Sequence, residues 1–229
     1  MRKKVLLFPG FAEDSRVFDK ISPFLLEDFE LVEIDFQPIL AEMPKGKGNL
    51  PLFCKKVAEK YEIQATDILV GHSFGGWVAV NIQAITGSPV VSIASFTNPR
   101  KPVHRPIGFH RLGFMFVRLG LFKLGLFHFF ARHKYRNLAE FPIIQLCLEI
   151  MKTWKDEDLL KVMRLIAGQT EQLPSGAFLR YHGIKDEIVY PPDEPYICIP
   201  NARHAIHYTH AEWMANGIKR WIKTGFLDL

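Results

Sequence analysis

A serine lies between glycines at the point where the sequence changes from a strand pattern to a helix pattern. The residues are Gly71-His72-Ser73-Phe74-Gly75, with an apolar run at 68–70 before them and another at 77–80 after them. A serine hydroxyl is a weak nucleophile unless it is held exposed beside a base, with backbone donors ready for the oxyanion. The two glycines let the strand turn sharply into the helix, which leaves Ser73 at the tip. The pattern predicts a nucleophile at Ser73 and an oxyanion donor in the amide of Phe74, at the start of the helix.

The stretch from Gly71 to Gly76 resembles the nucleophile elbow of the α/β-hydrolase superfamily, and the chain is similar to its small single-domain esterases. The resemblance implies a second oxyanion donor in the turn after the first strand, where it maps onto the amide of Phe11. Many members have His-Gly in this turn, whereas this chain has Pro9-Gly10. Because the donor is a backbone group, the substitution need not remove it. The alternative is a strand-to-helix turn without a catalytic part.

The same resemblance implies the other two members of a catalytic triad. The family's acid follows a late strand in the pattern His-Gly-x-x-Asp-x-x-Val, which maps onto Asp186, with the neighbouring Glu187 as a rival. The family's base lies in the loop after the last strand, which maps onto His204, with His207 as the alternative. The acid would orient the imidazole and stabilise its charged form. The chain order Ser73, Asp186, His204 is that of the α/β hydrolases.

Other reactive side chains have simpler interpretations. Asp35 follows a strand pattern and is expected to be a solvated or turn-capping carboxylate. His204, His207 and His210 recur at three-residue steps, but no carboxylate or cysteine completes a metal site, so none is predicted.

The cysteines indicate a reduced setting. Cys54, Cys147 and Cys198 are odd in number, far apart and without C-x-x-C spacing, so we expect small core residues and a cytoplasmic protein. The basic start of the chain is followed by only four apolar residues, 5–8, before Pro9-Gly10, which favours a first strand over an export signal.

Composition and pattern together predict a single α/β domain. The chain has 229 residues, of which 48% are hydrophobic and 23% are charged, as in ordinary globular proteins. Short apolar runs alternate with helical patterns in residues 1–99 and 175–229. Such runs are typical of parallel strands buried on both faces. We predict a reduced, mostly parallel sheet of about six strands with helices on both faces, and a loop over residues 37–48.

Residues 100–174 interrupt this alternation and are predicted to form a helical lid, the insertion that the family carries here. No Asp or Glu occurs from Ile68 to Ala139, while nine Arg or Lys fall between Arg100 and Arg136, interleaved with aromatic residues. One interpretation is a helix pair that covers the sheet and turns its basic residues to water. The other is a surface that receives a lipid-like or anionic acyl substrate or rests on a membrane. Nucleic-acid binding is not expected, because no matching motif accompanies the net charge of +5.

The residues and the resemblance together imply a serine hydrolase that cleaves a small-molecule ester or thioester through an acyl-enzyme intermediate, with no cofactor or metal. A lactonase or C–C bond hydrolase would use the same residues. A ligand-binding protein that keeps the triad without turnover is the alternative from a different class. The acyl length, the leaving group and the oligomeric state do not follow from the sequence.

Overall fold

A parallel six-stranded sheet forms the centre of the molecule. The computed structural model describes residues 2–44, 48–98, 109–168 and 176–226. The strands are β1 (Lys4–Phe8), β2 (Glu30–Glu33), β3 (Ile68–His72), β4 (Val90–Ile93), β5 (Phe178–Gly183) and β6 (Ile197–Ile199). They lie in the order β2-β1-β3-β4-β5-β6, and every neighbouring pair is parallel. This confirms the predicted α/β class with a reduced sheet of six strands covered by helices on both faces.

The burial of each strand follows its position in the sheet. All residues of β3 and β4 are buried, as the continuous apolar runs predict, whereas the edge strand β2 has exposed residues at both ends. In the register, Phe8 lies opposite Gly71 and His72 lies opposite Ile93. The carboxyl ends of β1, β3 and β4 therefore meet at one edge, where open α/β sheets place their binding sites.

Ten α-helices surround the sheet in the described part of the chain. They are α1 (Ser22–Leu26), α2 (Gln37–Glu42), α3 (Leu50–Lys60), α4 (Phe74–Thr86), α5 (Phe109–Arg118), α6 (Gly125–Tyr135), α7 (Phe141–Thr153), α8 (Asp156–Ile166), α9 (Ile206–Thr209) and α10 (Ala211–Lys223). Short 3₁₀ segments occupy Ser15–Phe18 and Leu121–Lys123. The Asn49 side chain caps α3 by accepting a hydrogen bond from the Leu52 amide at 3.0 Å.

The loop predicted over residues 37–48 is wrong in its first half, because α2 begins at Gln37. The proline in its first turn is tolerated there, since that position has no intrahelical N–H partner to lose. Ile39 and Leu40 are buried and fix the helix against the core. Asp35 is exposed, and its Oδ1 accepts the Gln37 amide at 2.9 Å, which confirms the turn-capping interpretation.

The described part of the chain between β4 and β5 consists mainly of helices. Helices α5 to α8 lie within residues 109–168, which we call the helical insert. The predicted boundaries of the lid, near residues 99–100 and 174–175, lie outside the described residues, so the division of the chain into core and lid stays a prediction. Within the described ranges, no helix combines the length and the apolar character needed to cross a membrane.

Substitution of Gly75 tests how tightly α4 packs on the sheet. A Cβ at this position would lie 2.1 Å from the Phe8 carbonyl oxygen and 2.5 Å from that of Pro9. Backbone cannot yield as a flexible side chain does, so Gly75→Ala should lower the free energy of unfolding in urea by about 3 kcal/mol or more. Gly125→Ala is the matched control, because a Cβ there meets nothing within 4 Å and should change stability by less than about 1 kcal/mol. Equal effects of the two substitutions would contradict this packing.

Candidate active site

Ser73 occupies a strained turn between β3 and α4. Its backbone has φ 52° and ψ −119°, which a residue with a Cβ adopts only when the surroundings enforce it. A Cβ on Gly71 would lie 2.5 Å from the Gly75 carbonyl oxygen. The absence of a side chain therefore lets the end of β3 lie close to the first turn of α4. The Ser73 carbonyl accepts hydrogen bonds from the Ser95 hydroxyl at 2.7 Å and from the Gly76 amide at 3.0 Å. The predicted strand, sharp turn and helix are confirmed.

The predicted oxyanion donors lie in two different turns. Phe74 opens α4, where the first amides of a helix have no acceptor within it and the helix dipole favours negative charge. Its ring points into the core and packs against Phe36, with the ring centroids 5.6 Å apart. Phe11 follows β1 and lines the same cavity as Ser73. Their role as oxyanion donors stays a prediction.

Asp186 and His204 form a hydrogen-bonded pair. His204 Nδ1 lies 2.8 Å from Asp186 Oδ2, and Asp186 Oδ1 accepts the amides of Ile188 at 2.8 Å and Val189 at 3.0 Å. Burial alone would raise the pKa of Asp186, but the charge of His204 and these hydrogen bonds lower it to about 2. Burial would lower the pKa of His204, but Asp186 above all, with Glu13 and Glu140, raises it. The pair is therefore a carboxylate that stabilises the protonated imidazole.

His207 and Glu187, the alternatives to the predicted base and acid, lie in different surroundings. The ring of His207 is buried and packs against that of His72, with centroids 4.1 Å apart. Burial and the neighbouring His72 and His204 lower the pKa of His207 well below its ordinary value. Glu187 turns to the rim, where it binds Arg203 at 2.8 Å and Lys134 at 3.2 Å. Of these two histidines, His204 is the one hydrogen-bonded to Asp186, although its role as base stays a prediction.

One cavity of about 270 Å³ is lined by both Ser73 and His204. The helical insert supplies its apolar wall, which consists of Phe127, Ala131, Ile143, Ile144, Leu148 and Met151. Polar side chains along the cavity are those of Glu13, Tyr135, Glu140, Glu187 and Arg203. An apolar chamber with a few polar groups at the serine is suited to a small organic substrate.

Glu13 and His72 are members of the site that the sequence did not identify. In the sequence, Glu13 and its neighbour Asp14 both resemble helix caps. In the structure Asp14 caps the following 3₁₀ segment, by accepting the Arg16 amide at 3.1 Å. Glu13 turns inward, and its Oε2 lies 2.9 Å from His72 Nδ1. No sequence signal distinguishes the two neighbouring acids, since the contact joins residues 59 positions apart.

In the described part of the chain, the cysteines and the histidines considered in the sequence do not form a metal site. Cys54 is buried, and burial raises the pKa of its thiol, as expected for a core residue. Cys147 lines the cavity and Cys198 is exposed, so the expectation of a core position fails for Cys198. Within the described ranges, no cluster of three or more His, Cys, Asp or Glu is arranged to hold a metal ion.

Comparison with known proteins identifies the fold. No protein-family model and no curated protein matches the chain. A hydrolase from Oleispira antarctica matches 97% of this chain and 92% of its own, at 15% identity and a TM-score of 0.73. A thermophilic esterase from Thermogutta terrifontis matches 98% and 91%, at 16% identity and a TM-score of 0.71. MenH from S. aureus matches 97% and 94%, at 16% identity and a TM-score of 0.66.

These likenesses, at such low identity, bear on the fold and not on the substrate. The chain has the α/β-hydrolase fold, as the resemblance of the Gly71 to Gly76 stretch implied. The solved structures that share it include hydrolases and esterases.

Asp186→Asn tests whether the acid of the pair is charged in the folded protein. The pKa of Asp186 falls from its ordinary value of 3.8 to about 2 on folding, so its carboxylate stabilises the fold above about pH 4 and loses that effect as the pH falls through about 2. When the pH is lowered from about 5 to about 2, the free energy of unfolding in urea should fall by up to about 2 kcal/mol more in the wild type than in the variant. Parallel pH dependences would contradict the charged pair.

Proposed function

We propose that the protein is a serine hydrolase that cleaves a carboxylic ester or thioester with an apolar, uncharged acyl group through an acyl-enzyme intermediate. The observation that carries the proposal is the cavity that holds Ser73, on its strained turn, and His204, hydrogen-bonded to Asp186, at one end of an apolar chamber.

The proton transfers follow from the orientation of His204. Its Nδ1 faces Asp186 Oδ2 at 2.8 Å, so the neutral imidazole keeps its proton there and presents the lone pair of Nε2. Nε2 takes the proton of Ser73 as the hydroxyl attacks the acyl carbon, and then gives it to the leaving alcohol or thiol. Asp186 stabilises the imidazolium that exists between these steps. Because the pKa of His204 is raised, the base is lost as the pH falls.

The oxyanion is held by backbone amides in this proposal. The amide of Phe74 at the start of α4 and that of Phe11 in the turn after β1 are the two donors. Donors of this kind stabilise charge that develops only during the reaction, and the loss of one typically lowers kcat by about 10²- to 10³-fold. Water then attacks the acyl-enzyme with His204 as the base, which releases the acid. The scheme requires no cofactor or metal.

The charges along the cavity favour a neutral acyl group. Glu13, Glu140 and Glu187 line it, while Arg203 is the one Lys or Arg among its described lining residues and is paired with Glu187. A carboxylate on the acyl chain would meet these acids in an apolar setting, where unpaired charge is costly. The basic residues of the helical insert that the sequence singled out, such as Lys123 paired with Asp156, therefore need not bind an anionic substrate.

The size of the cavity limits the acyl chain. At about 30 Å³ for each water-sized group, a cavity of about 270 Å³ accommodates roughly nine such groups, or an acyl chain of about eight carbons. Longer chains would have to displace residues of the cavity wall.

Hydrolysis of p-nitrophenyl esters from acetate to dodecanoate tests the proposal. We expect kcat/KM to rise to a maximum near an eight-carbon acyl group, because each added methylene buries apolar surface until the cavity is full. Ser73→Ala should reduce kcat by about 10³-fold or more, since the nucleophile is lost.

The matched control substrate is an ester whose acyl chain has equal length but ends in a carboxylate. Its kcat/KM should be lower by about tenfold or more. A folded Ser73→Ala variant with wild-type turnover would refute the serine mechanism. A folded wild type that binds esters without turnover would point to the ligand-binding protein instead.

A further inference from the structure

A second buried acid and imidazole lie beside the proposed triad without a part in its chemistry. Glu13 is 9% exposed and His72 is 1% exposed. Glu13 Oε2 lies 2.9 Å from His72 Nδ1, and both residues line the cavity. Burial of an ionisable group costs free energy unless the group is paired. The contacts of Glu13 and His72 show what this buried pair holds in place.

Glu13 closes the turn that follows β1. Its Oε2 accepts the Gly10 amide at 2.6 Å, and its own backbone amide approaches the Gly10 carbonyl at 3.4 Å. A Cβ on Gly10 would lie 2.6 Å from that same carboxylate oxygen, so a glycine is required for the contact. Ala12, between them, has φ 56°, a conformation that costs a residue with a Cβ about 1 kcal/mol or more. The carboxylate thus holds a strained turn whose middle residue is Phe11.

His72 joins this turn to the nucleophile and to the loop of the base. It ends β3 and directly precedes Ser73. Its Nδ1 faces Glu13, while its Nε2 lies 3.3 Å from the His204 carbonyl oxygen. Each ring nitrogen of His72 thus faces an oxygen atom of a different segment of the chain. One ring therefore bridges the carboxylate of the turn and the backbone of the loop that carries the base.

The other oxygen of Glu13 faces the helical insert. Cys147 Sγ, on α7, lies 3.8 Å from Glu13 Oε1. Burial and the charge of Glu13 raise the pKa of the Cys147 thiol well above its ordinary value, so it stays a neutral donor. Burial would raise the pKa of Glu13, but the charge of His72, its hydrogen bond and that of Gly10 lower it. Glu13 is therefore a carboxylate that accepts from three different elements.

We propose that Glu13 is a positioning residue that sets the turn after β1, and with it the amide of Phe11, against the turn that carries Ser73. The inference rests on the proposed function, because it assigns Glu13 a task in holding the oxyanion donor. The same oxygen accepts from Gly10 on one side and from His72 on the other, so a single atom links the turn after β1 to the residue that precedes Ser73.

Glu13→Gln tests this assignment. The amide keeps the shape and one acceptor oxygen, but without the charge it holds the Gly10 amide and His72 more weakly. Since the oxyanion exists only during the reaction, kcat should fall about 10- to 100-fold while KM stays within about threefold. Asp14→Asn is the matched control, because it removes a carboxylate from the next residue, which is partly exposed and paired with Arg16. Its kcat should stay within about twofold of wild type.

A second measurement does not depend on turnover. Hydrogen–deuterium exchange should rise in Glu13→Gln for the peptides that cover residues 9–13 and 202–206, and stay unchanged for α10. Unchanged exchange in both segments, or a folded Glu13→Gln variant with wild-type kcat, would overturn the proposal. An inactive wild type with the predicted exchange would instead refute the proposed function and leave the positioning contact in place.

If Glu13→Gln does not fold, the contact can be broken from the other side. His72→Leu removes the donor, whereas His72→Asn places an amide nitrogen close to the position of Nδ1. We expect a loss of kcat in the Leu variant and a partial recovery in the Asn variant. Equal kcat in the two folded variants would also overturn the proposal.

Discussion

The close approach of α4 to the carboxyl end of β1 is the constraint on which the site depends. No side chain fits between Gly75 and the carbonyl groups of Phe8 and Pro9, so the first turn of the helix rests directly on the backbone that leads into the turn after β1. Ser73, at the start of this helix, has a positive φ of 52° and lines the same cavity as Phe11. Because β1, β3 and β4 are hydrogen-bonded neighbours, the sheet fixes the distance between the two turns.

The charges of the site are arranged as two acid–imidazole pairs. Asp186 with His204 is the pair that the proposed chemistry uses, and Glu13 with His72 is the pair that we propose to position the turns. They meet where His72 Nε2 contacts the His204 carbonyl at 3.3 Å. The carboxylates of these two pairs also accept backbone amides, that of Gly10 for Glu13 and those of Ile188 and Val189 for Asp186, which offsets the cost of removing them from water. His207 packs against the His72 ring, and burial together with His72 and His204 lowers the pKa of His207.

The sequence predicts the parts of the molecule that are determined locally. The glycines around Ser73 and the short apolar runs specify the turn and the parallel strands without knowledge of distant contacts. The resemblance placed Asp186 and His204 in loops that the structure brings together at 2.8 Å. The role of Glu13 could not be predicted, because nothing near it in the chain distinguishes it from Asp14. Its partner His72 lies at the end of a different strand, β3.

Two helix starts differ from what their local sequence indicates. Helix α2 forms where a loop was predicted, since Ile39 and Leu40 find a place in the core. The spacing of Thr209 and Glu212 is typical of a capping box, but the Thr209 hydroxyl instead contacts the Ala205 carbonyl at 3.3 Å and His210 Nδ1 at 2.9 Å. At α2 a tertiary contact outweighs the local preference, whereas at Thr209 one local hydrogen bond replaces another.

The most direct test of the central claim is to locate the residue that a fluorophosphonate modifies. The probe reacts with an activated serine and leaves a covalent phosphonyl group, which peptide mass spectrometry can assign to one side chain. If Ser73 is the nucleophile, a single adduct forms on Ser73, fast in wild type and not at all in Ser73→Ala. A folded wild type that acquires no adduct, or an adduct on another residue, would contradict it.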